Sequence, residues 1–328
     1  MFKKIVSLTI ILILFCLIVQ VGFSKTIDIK FQTLQPGSLP RAAAEKFIEL
    51  IKEKTEHEIN VTYYLQGEIA EAGEVMEAIR VGMLDMANTS PSWATSWSKS
   101  LGLFEMAFLW KNGEHFQNYV IEEGGGEKLG KILIEKAGVR PLVWYSTGFR
   151  WMYFKDKINS LEDLKKIKMR SPGGQVSLDM MKIIGINAIT VPWSEVFTGL
   201  HTGLVEAVEC PPALAYPERF HEVVKYAWPS NHMMGIQFIT INEQLWQSFP
   251  DDLKEAMKEA AYETSYYMYG LTPMLAQMAV RSMKEESGLQ VIYDVDPSPL
   301  ADLFFDYQKS YAKDNDALDM LEEILAMK

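Results

Sequence analysis

The decisive stretch of this 328-residue chain begins Lys168-Met169-Arg170-Ser171-Pro172-Gly173-Gly174, continues through Val191-Pro192-Trp193-Ser194-Glu195-Val196-Phe197 and ends Val208-Glu209-Cys210-Pro211-Pro212. Arg170 closes a short apolar strand pattern and is followed at once by Ser, Pro and two Gly residues. A guanidinium there lies on a rigid element, beside a loop whose backbone can approach a ligand closely. Its planar fork matches a carboxylate, which it can hold by two parallel hydrogen bonds. The alternative is a surface arginine that merely ends a strand.

Strand and helix patterns alternate on both sides of this stretch, which predicts an α/β fold. Residues 27–31 and 59–65 have strand patterns, and residues 42–54 and 70–81 have helical spacing. Units of this size build parallel sheets, and ligands bind at the carboxyl ends of their strands. A helical pattern from Pro250 to about Glu286 is long enough to serve two lobes. Two lobes are expected because about 300 residues exceed what one core usually covers.

The N-terminus has the pattern of a secretory signal. Lys3 and Lys4 precede an apolar run over residues 5–21, and small residues precede a cut before Lys25. We therefore expect residues 1–24 to be removed and the chain to be exported to the periplasm. The alternative is an uncleaved anchor, because the run is nearly long enough to span a bilayer. Cleavage removes Cys16 and leaves Cys210 alone, which excludes an internal disulfide.

Charge and motif content exclude several classes of function. The formal net charge is −11, and loss of residues 1–24 removes two lysines and no acid. An acidic chain is a poor nucleic-acid binder, since phosphates demand a basic footprint. The five histidines are scattered, with no His-Glu-x-x-His or paired-cysteine pattern for zinc. Gly124-Gly125-Gly126 follows no strand pattern, so it is no phosphate loop. We expect no cofactor.

Ordered motifs along nearly the whole mature chain resemble those of the extracytoplasmic solute-binding proteins of tripartite ATP-independent periplasmic (TRAP) transporters. The motifs are Ala43-Ala44-Glu45-Lys46-Phe47, Gly82 with Leu84-Asp85, Gly148-Phe149-Arg150, Ser160-Leu161-Glu162-Asp163-Leu164, Lys168-Met169-Arg170-Ser171-Pro172, Ser194-Glu195-Val196-Phe197-Thr198-Gly199-Leu200, Thr202-Gly203-Leu204-Val205-Glu206-Ala207, Glu209-Cys210-Pro211 and Phe249-Pro250-Asp251-Asp252-Leu253. Each is weak alone, and their order and spacing together are specific.

The resemblance implies a two-lobe fold like that of periplasmic binding proteins, with a ligand cleft between the lobes and a strand hinge. It implies that Arg170 is the principal carboxylate anchor, that Arg150 is a second arginine near the cleft, and that Trp193 lines the pocket. Many family members have Asn where this chain has Cys210, so a polar contact there is in doubt. In a subgroup the position of Glu209 helps to hold a cation beside the ligand.

Other candidates rest on their place in the sequence. Ser90 follows a short strand pattern and can donate a hydrogen bond, or it serves turn chemistry beside Pro91. Trp93, like Trp193, is a candidate pocket wall, with core packing as the alternative. His232 belongs either to the pocket or to a solvated loop. Arg150 lies among aromatic residues and needs a partner, so a structural ion pair is its alternative.

The expected lobes comprise residues 25–147 with about 237–280, and residues 148–236 with about 281–328. The expected function is capture of a small organic acid by a monomeric, non-enzymatic binding protein that delivers it to the membrane subunits of a TRAP transporter. One alternative is an exported cysteine hydrolase that uses Cys210 with a histidine. Another is a ligand sensor without a transporter.

Overall fold

The described part of the chain, residues 26–327 of a computed structural model, builds two β-sheets, which we call the sheets of the first and second lobe. The predicted signal segment, residues 1–24, lies outside the described residues. The first sheet contains β1 (Ile27–Thr33), β2 (Ile59–Leu65), β3 (Met86–Thr89), β4 (Val139–Phe149) and β10 (Met234–Asn242), in the order β2-β1-β3-β10-β4. The second contains β5 (Trp151–Phe154), β6 (Lys168–Ser171), β7 (Asn187–Thr190), β8 (Ala207–Cys210), β9 (Tyr226–Trp228) and β11 (Gln290–Val291), in the order β11-β9-β5-β8-β6-β7.

Helices cover the sheets and connect their strands. They are α1 (Leu39–Lys54), α2 (Val75–Arg80), α3 (Pro91–Ala94), α4 (Gly113–Gln117), α5 (Gly125–Ala137), α6 (Gln175–Ile184), α7 (Val196–Thr202), α8 (Pro212–Ala215), α9 (Glu243–Ser248), α10 (Asp251–Ser287), α11 (Ser298–Asp314) and α12 (Leu318–Ala326). Short 3₁₀ helices cover Lys99–Glu105, Leu161–Lys166, Trp193–Glu195 and Phe220–Glu222, and a π-helical turn covers Asn118–Glu122. None of the helices within residues 26–327 is long and apolar enough to cross a bilayer.

Alternation of apolar and polar residues determines how the first sheet packs. In β1, Ile29 and Phe31 are buried in one cluster with Phe47 of α1, while Asp28, which precedes Ile29, is exposed. β1 runs parallel to β2 and β3, as expected for strand–helix–strand units. β10 lies antiparallel between β3 and β4, and all of its residues are buried, with side chains in the clusters on both faces of the sheet.

The chain crosses between the lobes at strand ends. The chain over residues 139–154 divides at Arg150, so that β4 and β5 belong to different sheets. The chain returns through residues 229–233, between β9 and β10. Gly148 has a φ of 95°, and the register of β4 against β10 shifts beside Gly235. This bulge turns the strand out of the first sheet, since a glycine accepts a left-handed conformation that other residues avoid.

The predicted long helix is α10, and it contacts both lobes. Met257 and Met268 in its first part belong to the core of the first lobe with Phe47. Ala279 and Met283 near its end belong to a core of the second lobe. The helix continues past Pro273 and ends at Gly288, whose φ is 70° and whose N–H donates to the carbonyl of Lys284. This confirms the prediction of one helix that spans the lobes.

The C-terminal helix α12 packs on the first lobe. Leu321 and Ile324 are buried in one cluster with Leu101 and Trp110, and Lys128 Nζ lies 2.6 Å from Glu323 Oε1. The division drawn from the sequence assigned residues 281–328 to the second lobe. Because an apolar helix face is stable only where it is covered, we propose lobe limits in which α12 joins the first lobe.

Candidate functional site

A cavity of about 230 Å³ lies between the two lobes at the ends of several strands, and we call it the interlobe cavity. Five of the eight residues predicted for the site line it, namely Ser90, Trp93, Arg150, Arg170 and Trp193. Cys210, Glu209 and His232 are fully buried and do not line it. A larger groove of about 1230 Å³ runs along α10 on the opposite face of β4, but none of the eight predicted residues lines it.

Arg170 stands at the carboxyl-end side of β6, which is held between β7 and β8. Its side chain is buried, its Nε donates to the carbonyl of Val191 at 3.0 Å, and its guanidinium lies 5.4 Å from the ring centre of Trp193. Within residues 26–327 no carboxylate lies within 4 Å of it and no hydrogen bond uses its terminal nitrogens. Burial lowers the pKa of Arg170 to about 10, so the group is still cationic at neutral pH.

The loop after Arg170 brings the backbone to the cavity wall. Gly173 and Gly174 both adopt left-handed conformations, with φ of 83° and 84°, before α6 begins. An added Cβ at Gly174 would lie 3.7 Å from Ser92 of the first lobe. The two lobes are therefore close here, and the predicted close approach of this backbone to a ligand stays a prediction.

Arg150 and Glu209 form a buried ion pair. Arg150 Nη2 donates to Glu209 Oε1 at 2.7 Å and to the Glu209 carbonyl at 2.8 Å, while Nε donates to Oε2. Burial alone would raise the pKa of Glu209, but Arg150 and His232 lower it to about 2. Burial alone would likewise lower the pKa of Arg150, but Glu209 raises it. Both carboxylate oxygens of Glu209 thus accept hydrogen bonds from the Arg150 guanidinium. As to the cation that the resemblance implied at Glu209, residues 26–327 contain no group of three or more His, Cys, Asp or Glu side chains that could hold a metal ion.

His232 lies behind the cavity wall beside this pair. Its Nδ1 is 2.8 Å from Ser230 Oγ, and its Nε2 is 3.7 Å from Glu209 Oε2. The distance to Glu209 is too long for a hydrogen bond. His232 therefore lies beside the Arg150–Glu209 pair and Ser230. It lines neither the cavity nor a solvated loop, which were the two surroundings predicted from the sequence.

Cys210 is buried in the second lobe, where its sheet packs against helices. It pairs with Trp151 in the ladder of β5 and β8 and belongs to a cluster with Val208 and Ala279. Burial raises the pKa of the Cys210 thiol, and within residues 26–327 its sulfur makes no hydrogen bond. Of the histidines nearest in the sequence, His221 contacts Glu286 and Tyr216, and His201 stacks on Phe197.

The first lobe supplies hydroxyl groups and an aromatic side chain. Ser90 follows β3 and precedes α3, and its Oγ lies 2.9 Å from Ser92 Oγ. Trp93 is partly buried and also packs on the core of the first lobe. On the opposite side, Trp193 Nε1 donates to Glu218 at 3.0 Å, which orients the ring under Arg170.

The sequence analysis missed several residues of the cavity wall, among them Gln66, Glu71, Glu105 and Gln237. Glu71 Oε1 accepts from Ser194 of the second lobe at 3.4 Å, which joins the lobes at the cavity. Glu105 and Gln237 could have been predicted, because each is a lone polar residue in an apolar run, Leu103-Phe104-Glu105-Met106 and Ile236-Gln237-Phe238. Such a residue needs a polar partner or a cavity, because burial without either is costly.

Comparison with known proteins identifies relatives over most of the chain. Residues 32–314 match the family described as bacterial extracellular solute-binding protein, family 7. The chain is 25% identical over 280 residues to the 2,3-diketo-L-gulonate-binding periplasmic protein YiaO of Escherichia coli K12, which covers 85% of this chain and 84% of the relative. It is 26% identical over 266 residues to the C4-dicarboxylate-binding periplasmic protein DctP of Rhodobacter capsulatus, with 80% and 79% covered.

A solved structure has the same fold. The TRAP periplasmic solute binding protein from Xanthobacter autotrophicus PY2, with bound β-D-galacturonate, superposes with a TM-score of 0.84 at 23% identity, over 92% of this chain and 100% of that chain. This likeness confirms the predicted two-lobe α/β fold.

Proposed function

This chain belongs to family 7 of the bacterial extracellular solute-binding proteins, and on that premise we propose that it captures a small organic acid for a TRAP-type transporter. The observation that carries the proposal is Arg170, a buried guanidinium on the cavity wall with which no carboxylate of residues 26–327 forms an ion pair within 4 Å. A buried cation is costly without a counter-charge, and a ligand carboxylate supplies one. In this proposal Arg170 binds the ligand carboxylate, and the Trp193 ring packs against the guanidinium and fixes its orientation.

The names of the relatives support an acid as the ligand. The Escherichia coli relative binds 2,3-diketo-L-gulonate, the Rhodobacter relative binds C4-dicarboxylates, and the Xanthobacter structure contains galacturonate. All of these compounds carry a carboxylate. Ser90, Ser92 and Trp93 would then contact the rest of the ligand from the first lobe, and lobe closure would remove water from the carboxylate–Arg170 bonds and strengthen them.

The test begins with a thermal-shift screen of small carboxylates, because a ligand that binds only the native state raises its melting temperature. The best ligand is then titrated calorimetrically into the parent protein and into Arg170→Lys. We expect a loss of about ten- to hundredfold in affinity, since an ammonium cannot reproduce the fork of charge-assisted hydrogen bonds. Arg140→Lys is the matched control, because Arg140 pairs with Glu243 outside the cavity. Equal affinity of Arg170→Lys and the parent would contradict the proposal.

We further propose that the chain acts in the periplasm and delivers its ligand to the membrane subunits of a TRAP transporter. Family membership supports this partner. Uptake of labelled ligand into proteoliposomes that contain those subunits should require this protein. Binding without stimulation of uptake would favour the alternative, a sensor that docks on a receptor.

The proposal also holds that the chain is no enzyme. The alternative hydrolase would use Cys210 as its nucleophile, which requires a base within hydrogen-bond reach. Burial, a raised thiol pKa and the lack of a hydrogen-bond partner within residues 26–327 all disfavour that role. An organic acid that is recovered unchanged after incubation with the protein is the expected result.

A further inference from the structure

Glu105 brings an acid to the interlobe cavity. It ends the 3₁₀ helix Lys99–Glu105, and its neighbours Leu103, Phe104 and Met106 are fully buried. The segment is therefore held in the core, and the partly buried Glu105 side chain reaches the cavity wall. An ionised carboxyl group at such a place is costly for folding unless it is hydrogen-bonded or neutralised.

Within residues 26–327 Glu105 forms no ion pair within 4 Å. The charge of Arg150 acts on it, but Arg150 is paired with Glu209. The groups that face it are Ser92, Arg150 and Glu209, with Tyr311 of α11 on its other side. Removal from water raises the pKa of Glu105 to about 7, although Ser92 and Arg150 act in the opposite direction.

The cavity is consequently polarised. Its second-lobe wall carries Arg170, which is cationic and unpaired, and its first-lobe wall carries the acids Glu71 and Glu105. A ligand with one carboxylate can direct that group to Arg170 and its other end to the acids. A second carboxylate at that end would meet a like charge in surroundings of low dielectric, where repulsion is strong.

We infer that Glu105 is a specificity-determining residue, which rejects a second ligand carboxylate and accepts a hydrogen bond from a donor group in its place. This inference rests on the proposed function and narrows the ligand to a monocarboxylate whose far end carries a hydroxyl or ammonium group. Neither Arg170 nor the family match distinguishes this class from dicarboxylates, and the Rhodobacter relative binds the latter.

The test uses ligands that differ only at the far end. Galactonate and galactarate form one pair, and 4-hydroxybutyrate and succinate form a second pair, each exchanging a terminal hydroxymethyl group for a carboxylate. 4-Aminobutyrate presents an ammonium at the same place and so distinguishes the two donors. Affinities are measured by calorimetry for the parent, for Glu105→Gln and for Glu135→Gln, which removes an exposed acid outside the cavity.

At pH of about 8 we expect the parent to bind the hydroxymethyl or ammonium ligand at least about tenfold more tightly than the dicarboxylate. An affinity ratio of this size corresponds to a modest repulsion between like charges. The ratio should fall as the pH drops below about 7, where Glu105 becomes protonated. In Glu105→Gln the ratio should be smaller than in the parent, since only Glu71 remains on that wall, and it should no longer fall below pH of about 7. In Glu135→Gln it should equal that of the parent. Because the ligands are the same in all proteins, their own titration cancels in this comparison.

Three outcomes overturn the inference. One is a parent that binds the dicarboxylate of each pair as tightly as its partner. Another is a preference as large as that of the parent in both Glu105→Gln and Glu105→Ala, each with a melting temperature close to that of the parent. Either result leaves the proposed function standing. Failure of the parent to bind any carboxylate contradicts the proposed function as well.

Discussion

Arg150 Nη2 lies 2.7 Å from Glu209 Oε1, and this contact commits one of the two arginines of the site to a buried internal partner. Glu209 is fully buried, and the Arg150 side chain is nearly so. The pair is neutral as a whole, so Arg170 is the unpaired cation that the described cavity offers to a ligand. The two arginines thus have different expected roles, although the sequence shows both as arginines near strand ends.

Removal of the acid should destabilise the fold. Glu209→Gln leaves the Arg150 guanidinium buried without its counter-charge, for which we expect a loss of about 3–5 kcal/mol in the free energy of unfolding. Glu243→Gln is the matched control, because the Arg140–Glu243 pair is more exposed and should contribute about 1 kcal/mol or less. Urea denaturation measures both. A loss from Glu209→Gln no larger than that from the control would contradict a structural role of the pair.

The Glu209 carboxylate also makes the free energy of unfolding depend on pH in the acid range. The pKa of Glu209 is about 2 in the folded protein, below the usual value of 4.5 for an unfolded glutamate. Its contribution is therefore fully present above about pH 4.5 and is lost as the pH falls towards 2. The free energy of unfolding of the parent should decline more steeply over this range than that of Glu209→Gln. Parallel pH profiles for the two proteins would show that the pair contributes nothing to acid stability.

The crossover between the lobes should not tolerate a side chain at Gly235. A Cβ there would lie 2.3 Å from Thr147 Oγ1 and 3.0 Å from Pro211 Cγ, so Gly235→Ala forces strands apart at the hinge. We expect a loss of about 1–3 kcal/mol in stability, as for other overpacked sites. Gly270→Ala is the control, because Gly270 lies within α10 with no atom near its Cβ position, and alanine there should stabilise by about 0.5–1 kcal/mol. Equal effects of both substitutions, measured by denaturation, would refute the packing argument.

Cys210 should be dispensable for binding. Cys210→Ala removes a buried sulfur that makes no hydrogen bond within residues 26–327, so ligand affinity should change by less than about threefold. Calorimetry gives the affinity, and mass spectrometry of the bound ligand reports any chemical change. Product formed by the parent but not by Cys210→Ala would instead identify the alternative hydrolase.

Local sequence chemistry was enough to predict several elements of the fold and a buried-strand position for Arg170. Alternation in residues 27–31, helical spacing in residues 42–54 and the long pattern after Pro250 are properties of neighbouring residues, and each corresponds to an observed element. The placement of Arg170 at a strand end beside a glycine loop could be predicted for the same reason, because the strand before it and the two glycines after it are contiguous, while its role as carboxylate anchor stays a prediction. The family resemblance rested on motifs of this kind, and the match over residues 32–314 confirms it.

Only the tertiary structure decided which side chains face the cavity and which pair behind it. Arg150 and Glu209 are 59 positions apart, and nothing in their neighbours specifies that they meet. Glu105 and Arg170 line one cavity because strands and helices of different lobes bring their elements together. The physical reason is that secondary structure follows from short-range backbone and burial preferences. The pairing and charge balance of side chains in a cavity depend on contacts between distant segments, which cannot be predicted from one sequence alone.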